Sequence, residues 1–145
     1  MDILTGWLIT LEKWLSRDWL ERVALAALIA VFVYSGIDKL LHFAAAETEF
    51  NALNLHPAVL LVAATIATQL GASALLCSRR YAPWGALLLA GFTAAATLIA
   101  HRFWAAPPNA YVAELNAFLE HIGLIGAFIW VAHLAAVRNL RKAMA

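Results

Sequence analysis

Four long apolar stretches, three of them free of charged residues, decide most of what this chain can become. Residues 23–37, 58–77 and 82–100 contain no Asp, Glu, Lys or Arg, and residues 115–137 contain only Glu120. A membrane-spanning helix needs about 20 apolar residues, so the last three stretches are long enough as they stand. The first reaches that length only if it continues through Asp38 and Lys39 toward His42, which places two charges inside a membrane helix. The breakers agree with this division. Pro57 and Pro83 stand where the first turn of a helix tolerates proline, Arg79 and Arg80 stop the second stretch, His101 and Arg102 end the third, and Pro107 and Pro108 mark a loop. The expected fold is therefore all-α, an integral membrane four-helix bundle with spans over about 23–42, 58–77, 82–101 and 115–137, followed by a basic tail over 138–145. With 145 residues, 64% of them hydrophobic and only 13% charged, the loops are too short for a soluble catalytic or nucleotide-binding module. A net charge of +1 offers no field to attract nucleic acid. The lone Cys77 excludes an internal disulfide and any CxxC or CxxCH chemistry, so redox work would require a cofactor or a partner.

The placement of the charges carries more information than their sum. Lys13, Arg17, Arg22, Arg79, Arg80, Arg138, Arg141 and Lys142 fall on one side of the four spans, and only Lys39 and Arg102 fall on the other. Basic residues in short loops stay cytoplasmic, so both termini are expected in the cytoplasm of a multi-pass bacterial inner-membrane protein. Residues 1–22 form a segment of their own. Leu4, Trp7, Leu8, Leu11, Trp14 and Leu15 recur at helical spacing, with Asp2, Glu12, Lys13, Ser16 and Arg17 on the remaining arc. That pattern, with Trp7, Trp14 and Trp19, reads as an amphipathic helix on the membrane surface. A secretory signal would instead begin with basic residues and end in a small-residue cleavage site. Small residues at four-residue spacing, Ala63/Ala67/Gly71, Ala86/Ala90/Ala94 and Gly123/Ala127, allow close helix packing within one bundle or between copies.

The polar minority points to one level. At a rise of about 1.5 Å per residue, Asp38, Lys39, His42, His101, Arg102, Glu120 and His121 all lie in the outer part of the bundle, while Gln69 comes near the midplane. Ionisable groups at such depth are functional-site candidates unless they are paired or snorkel to the interface. Lys39 is expected to neutralise Asp38 or Glu120, and Arg102 to take the other. Gln69 reads foremost as an interhelical hydrogen-bonding residue, and His133 as an interfacial one. His42, His101 and His121 share a level, and imidazole is a common metal and haem ligand. No HxxxH, ExxH or HExxH pattern accompanies them, so neither metal nor haem is expected. A quinone or similar lipophile fits better: Phe32, Phe43, Phe103 and Trp104 would line an apolar slot, and Lys39, His101 and Glu120 would hold or protonate carbonyl oxygens. Of these, His101 is the natural proton carrier.

Three segments also carry a family resemblance. Tyr34-Ser35-Gly36-Ile37-Asp38-Lys39-Leu40 followed by Phe43, Ala100-His101-Arg102-Phe103-Trp104, and Phe118-Leu119-Glu120-His121-Ile122-Gly123-Leu124-Ile125-Gly126 together resemble the DoxX family of small bacterial four-helix inner-membrane proteins, over roughly residues 23–137. The resemblance implies a membrane subunit associated with quinone-linked oxidoreductase systems, such as the membrane subunit of thiosulfate:quinone oxidoreductase, working with other membrane or redox subunits. Lys39 and His101 match polar residues typical of that family. Members often carry Glu where Gln69 stands and Lys-Asn where Glu120-His121 stands, so the acid of the second span is moved to the fourth. The alternative expectation is a non-catalytic scaffold or assembly subunit that docks partner membrane proteins through the small-residue stripes and the amphipathic helix.

Overall fold

The computed structural model describes residues 3–145. The described chain is helical without a strand: α1 (Ile3–Leu15), α2 (Asp18–Leu41), α3 (Phe43–Ala52), α4 (Ala58–Cys77), α5 (Ala82–Ala100) and α6 (Tyr111–Ala143), with a single 3-10 turn at Phe103–Ala105. Four helical segments are long and apolar enough to cross a membrane: Asp18–Leu41, Ala58–Cys77, Ala82–Ala105 and Tyr111–Ala143. The chain divides into two compact units, residues 1–31 and 32–145.

The first unit holds α1 and the beginning of α2. Trp7, Leu8, Leu11, Trp14 and Leu15 are all exposed on α1, as are Glu12 and Lys13. The segment expected to run unbroken through residue 22 is interrupted after Leu15. The Ser16 hydroxyl turns back to donate to the Lys13 carbonyl (3.1 Å), and Asp18 restarts the helix, placing an acid in its first turn where the macrodipole favours it. Trp19, Glu21 and Arg22 thus belong to α2. Trp14 and Trp19 meet edge to face across the break, with ring centroids 5.5 Å apart. Asp2 and the side chain of Leu4 lie outside the described residues.

In the second unit α5 is central, packing on α4 along one flank and on α6 along the other. Lipid is as apolar as leucine, so these helices are held by close contact rather than by exclusion from water. Small residues therefore decide the spacing. Ala86 and Ala90 of the α5 stripe are buried, but the closest approach is one position earlier, at Gly85. A Cβ there would stand 2.5 Å from the Leu76 nitrogen and 2.6 Å from the Ala72 oxygen, both backbone atoms of α4. The stripe on α4 does not face this contact: Ala63, Ala67 and Gly71 are exposed. On α6, Gly123 is exposed and Ala127 half-buried. Phe32 is buried in the core, edge to face with Phe92 of α5 (6.3 Å) and Phe128 of α6 (5.4 Å).

The stretch after the first span is more ordered than its reading as a plain connection implies. Phe43–Ala52 forms α3, which lays Phe43, Ala46 and Phe50 against Val62, Ile66 and Leu70 of α4. The 43/46/50 spacing is a one-face helical pattern too short to stand out among so many apolar residues. Asn54, in the left-handed region at φ 56°, turns the chain toward α4, and asparagine is among the few residues that adopt this conformation readily.

Candidate functional site

Two helices and the turn between them build the densest polar constellation. On α5, Thr93 and Thr97 are one turn apart on the buried face, and each hydroxyl donates to the carbonyl four residues earlier, Thr93 to Leu89 (2.7 Å) and Thr97 to Thr93 (2.6 Å). His101 follows after one more turn, where α5 ends. On α6, Glu114 and His121 are two turns apart and so share a face. That face meets α5. The Thr97 hydroxyl lies 2.8 Å from His121 Nδ1, and His101 Nδ1 lies 3.0 Å from Glu114 Oε2. The two imidazoles touch edge to face, with centroids 4.8 Å apart and planes at 79°.

Donor and acceptor roles follow from the partners. A carbonyl only accepts, so the single proton of the Thr97 hydroxyl is committed to Thr93, and His121 must bring its own proton on Nδ1 to bond the Thr97 oxygen. An ionised carboxylate likewise only accepts, which places a proton on His101 Nδ1. In their neutral forms both rings then keep the Nε2 lone pair available. A carboxylate-backed imidazole with a free Nε2 is the arrangement used for accepting and returning protons. The environment is graded: Thr97 is 1% exposed, whereas the side chains of His101 and Glu114 are 28% and 34% exposed. The turn after α5 and the start of α6 carry an aromatic cluster. Phe103 meets Trp104 (5.1 Å), Phe118 (5.2 Å) and Tyr111 (6.0 Å) edge to face, and Trp104 also meets Phe118 (6.0 Å).

A second polar set joins α2 to α4. Lys39 Nζ donates to Ser35 Oγ (2.9 Å) and Gln69 Nε2 donates to the same oxygen (3.2 Å). Gln69 is 5% exposed, and its Oε1 has no hydrogen-bonding partner. Exchanging the amide's oxygen and nitrogen would let Ser35 donate to it, but would leave the NH2 group unpaired instead. Gly36 permits the approach, since a Cβ there would stand 2.8 Å from the Leu70 side chain.

The residues singled out from sequence therefore separate into groups. His101 and His121 come together; Lys39 and Gln69 come together through Ser35. The expected ion pairs do not form. Asp38 pairs with His42 one turn on (3.0 Å), both largely exposed, because Asp38 and the adjacent Lys39 point about 100° apart around the helix. Arg102 Nε donates to the Ile99 carbonyl (3.2 Å). Glu120 is exposed and makes no ion pair among the described residues; it lies six positions beyond Glu114, on a different face of α6. The aromatic set divides too: Phe103 and Trp104 flank the His101 end, Phe32 is in the core and Phe43 packs between α3 and α4. His42 stands apart from His101 and His121 with Asp38, and no three His, Cys, Asp or Glu side chains converge as a metal site among the described residues. His133 is exposed beside Trp130, with centroids 6.0 Å apart. Sequence reading missed Glu114, Thr97, Ser35, Tyr111 and Phe118 as members of these groups. The signal for Glu114 was present in its seven-residue spacing from His121, and that for Thr97 in its four-residue spacing from Thr93 and His101.

A family model for DoxX matches residues 20–102. Comparison with curated proteins and comparison with solved structures each gave no match. The matched segment takes in Ser35, Lys39, Gln69, Thr97 and His101 and stops before α6 supplies Glu114 and His121. It covers more than half of a chain with four helices of spanning length and composition, and the protein accordingly belongs to the DoxX family of membrane proteins.

Proposed function

We propose that this protein is a membrane subunit of a quinone-linked oxidoreductase system and that it binds the headgroup of a quinone, or of a similar lipophile, at the α5–α6 end. The observation that carries this reading is the pair of imidazoles held through Nδ1 by Glu114 and Thr97, beside the aromatic cluster of Phe103, Trp104, Tyr111 and Phe118. A quinone headgroup is a flat ring bearing two oxygens that exchange protons when the ring exchanges electrons. It needs an aromatic or apolar wall, hydrogen-bonding groups at its oxygens, and a proton route to water. His101 and His121 offer two Nε2 atoms, the rings beside them offer the wall, and partly exposed Glu114 and His101 offer contact with water. Lys39 and Gln69, with one amide atom of Gln69 unpaired, form a second place where a polar headgroup atom would be held. The chain has one cysteine, so electron transfer is assigned to a partner subunit that carries the redox cofactor. The basic-residue bias supports an orientation with both termini in the cytoplasm and this end of the bundle on the periplasmic side.

The test is quinone retention. Protein purified in mild detergent should carry extractable quinone in near-stoichiometric amount, and His101→Ala and Glu114→Gln should each lower that amount without changing the melting temperature by more than a few degrees. Absence of quinone from the wild type, or equal retention by both variants, would refute the proposal. A second reading is favoured by one observation: the Ala63/Ala67/Gly71 stripe faces away from the bundle, as a docking surface for another membrane helix would. A stable membrane partner that is lost on Ala67→Leu but retained in His101→Ala would support scaffolding instead.

A further inference from the structure

The charges of residues 32–145 are sorted by end. All five carboxylates, Asp38, Glu47, Glu49, Glu114 and Glu120, belong to the end of α2, to α3 or to the start of α6, whereas five of the seven cations, Arg79, Arg80, Arg138, Arg141 and Lys142, belong to the α4–α5 turn or the end of α6. Asn139 Nδ2 donates to the Arg80 carbonyl (3.0 Å), which ties the turn to the end of α6 and brings the five cations to one end. There α6 outruns the bilayer. Its 33 residues extend about 50 Å at 1.5 Å per residue, against a hydrocarbon core of about 30 Å. The last turns carry Leu134, Val137, Arg138, Arg141, Lys142 and Ala145 around one open surface. These positions are spaced three and four apart, so they form one continuous face of the helix. Along that face the chemistry changes in order: apolar Leu134 and Val137 on the membrane side, then the basic residues about one turn further out.

We propose that this helix face is a binding site for the phosphodiester headgroup of an anionic phospholipid. The order of side chains identifies the occupant. A free phosphate would use the cations alone, whereas a phospholipid presents a phosphate and, inward of it past the glycerol esters, the methylenes of its acyl chains, matching Arg141 and Lys142 followed by Val137 and Leu134. Arg141 and Lys142 are exposed and make no ion pair among the described residues, so their charges are available to an incoming anion. Clusters of Lys and Arg just beyond the end of a membrane helix are recognised attractors of acidic lipid headgroups. The site does not depend on the quinone reading, since it lies at the opposite end of α6 from His121.

Native mass spectrometry of the intact protein, titrated with phosphatidylglycerol or with phosphatidylcholine of the same acyl composition, tests this directly. Phosphatidylglycerol should bind more tightly, and the preference should fall with added salt. The double variant Arg141→Ala/Lys142→Ala should lose about fivefold in affinity per cation, about 25-fold in all, with phosphatidylcholine binding unchanged. Leu134→Gln, which leaves every charge in place, should weaken the lipid a few-fold. Arg102→Ala, which removes a cation from the other end, should leave phosphatidylglycerol binding intact. Equal binding of the two lipids, retention of phosphatidylglycerol by the double variant, an equal loss in Arg102→Ala, or displacement by inorganic phosphate at the same concentration as the lipid would overturn the proposal.

Discussion

Thr93 and Thr97 differ in one respect that a pair of substitutions can isolate. Both are buried on the same face of α5, both are 3% exposed or less, and both hydroxyls donate to the carbonyl four residues earlier. That carbonyl already accepts a helix hydrogen bond, so losing the hydroxyl leaves no orphan there. Only Thr97 has a second partner, His121 Nδ1 at 2.8 Å. Replacing Thr97 by the nearly isosteric Val removes the acceptor from the His121 Nδ1–H, and stranding a buried donor costs about 1–3 kcal/mol. His121 is half-buried, and partial access of water places the expected loss near the lower limit, about 1 kcal/mol. Thr93→Val should lie within about 0.5 kcal/mol of wild type, because its carbonyl and its surroundings stay satisfied. Reversible unfolding of detergent-solubilised protein gives both values, and a double-mutant cycle of Thr97→Val with His121→Phe should return a coupling energy of about 1 kcal/mol. Nitrogen chemical shifts of the imidazole supply an independent readout: wild-type His121 should show the Nδ1–H tautomer, and Thr97→Val should show a mixture. Equal destabilisation by the two valines, zero coupling, or an Nε2–H tautomer in wild type would refute the assignment of protons across the site.

Two further outcomes are expected. Gly85→Ala should destabilise by about 1–3 kcal/mol, the usual penalty of overpacking, since its Cβ would meet α4 backbone at 2.5 Å, whereas Gly91→Ala, with open space around it, should be neutral or gain up to about 1 kcal/mol from helix propensity; the melting temperatures of the two variants should move apart. Cys77 is exposed at the end of α4, so a membrane-impermeant thiol reagent should label it from the cytoplasmic face only, and labelling of intact cells from outside would invert the proposed orientation.

The spans were legible because membrane insertion constrains sequence through length and charge, both of which can be read one residue at a time. Uncharged runs, the prolines at residues 57 and 83 and the paired arginines at 79 and 80 mark helix ends wherever the helices pack. Packing was less legible for a related reason. When nearly every position is apolar, a stripe of small residues no longer says which face is inside, because lipid tolerates Ala63, Ala67 and Gly71 as well as a neighbouring helix does. Gly85 was decisive and lay outside any counted stripe; its importance comes from the backbone of α4 passing close to it, which is a property of the pair of helices and not of either sequence. The same ambiguity hid α3, whose face of Phe43, Ala46 and Phe50 has no polar face sharp enough to frame it.

The site shows where counting charges by depth stops working. Depth placed Asp38, Lys39, His42, His101, Arg102, Glu120 and His121 at one level, and opposite charges at one level suggested mutual neutralisation. Rotation around each helix decides otherwise. Glu114 and His121 are seven residues apart, close to two full turns, and therefore present one face to α5, while Glu120 is about 100° from His121 and turns away. The carboxylate immediately before the fourth apolar stretch thus became the partner of His101, and the carboxylate inside that stretch did not. Pairing in such a bundle is set first by face and only then by depth. The residues with which a buried imidazole can bond are those at three, four or seven positions along a facing helix, and uncharged hydroxyls such as Thr97 qualify as fully as acids do. A search restricted to ionisable residues leaves out the neutral partners that low-polarity surroundings favour, which is why Ser35 and Thr97, the two hydroxyls that hold Lys39 and His121, were the members of the site that charge alone could not find.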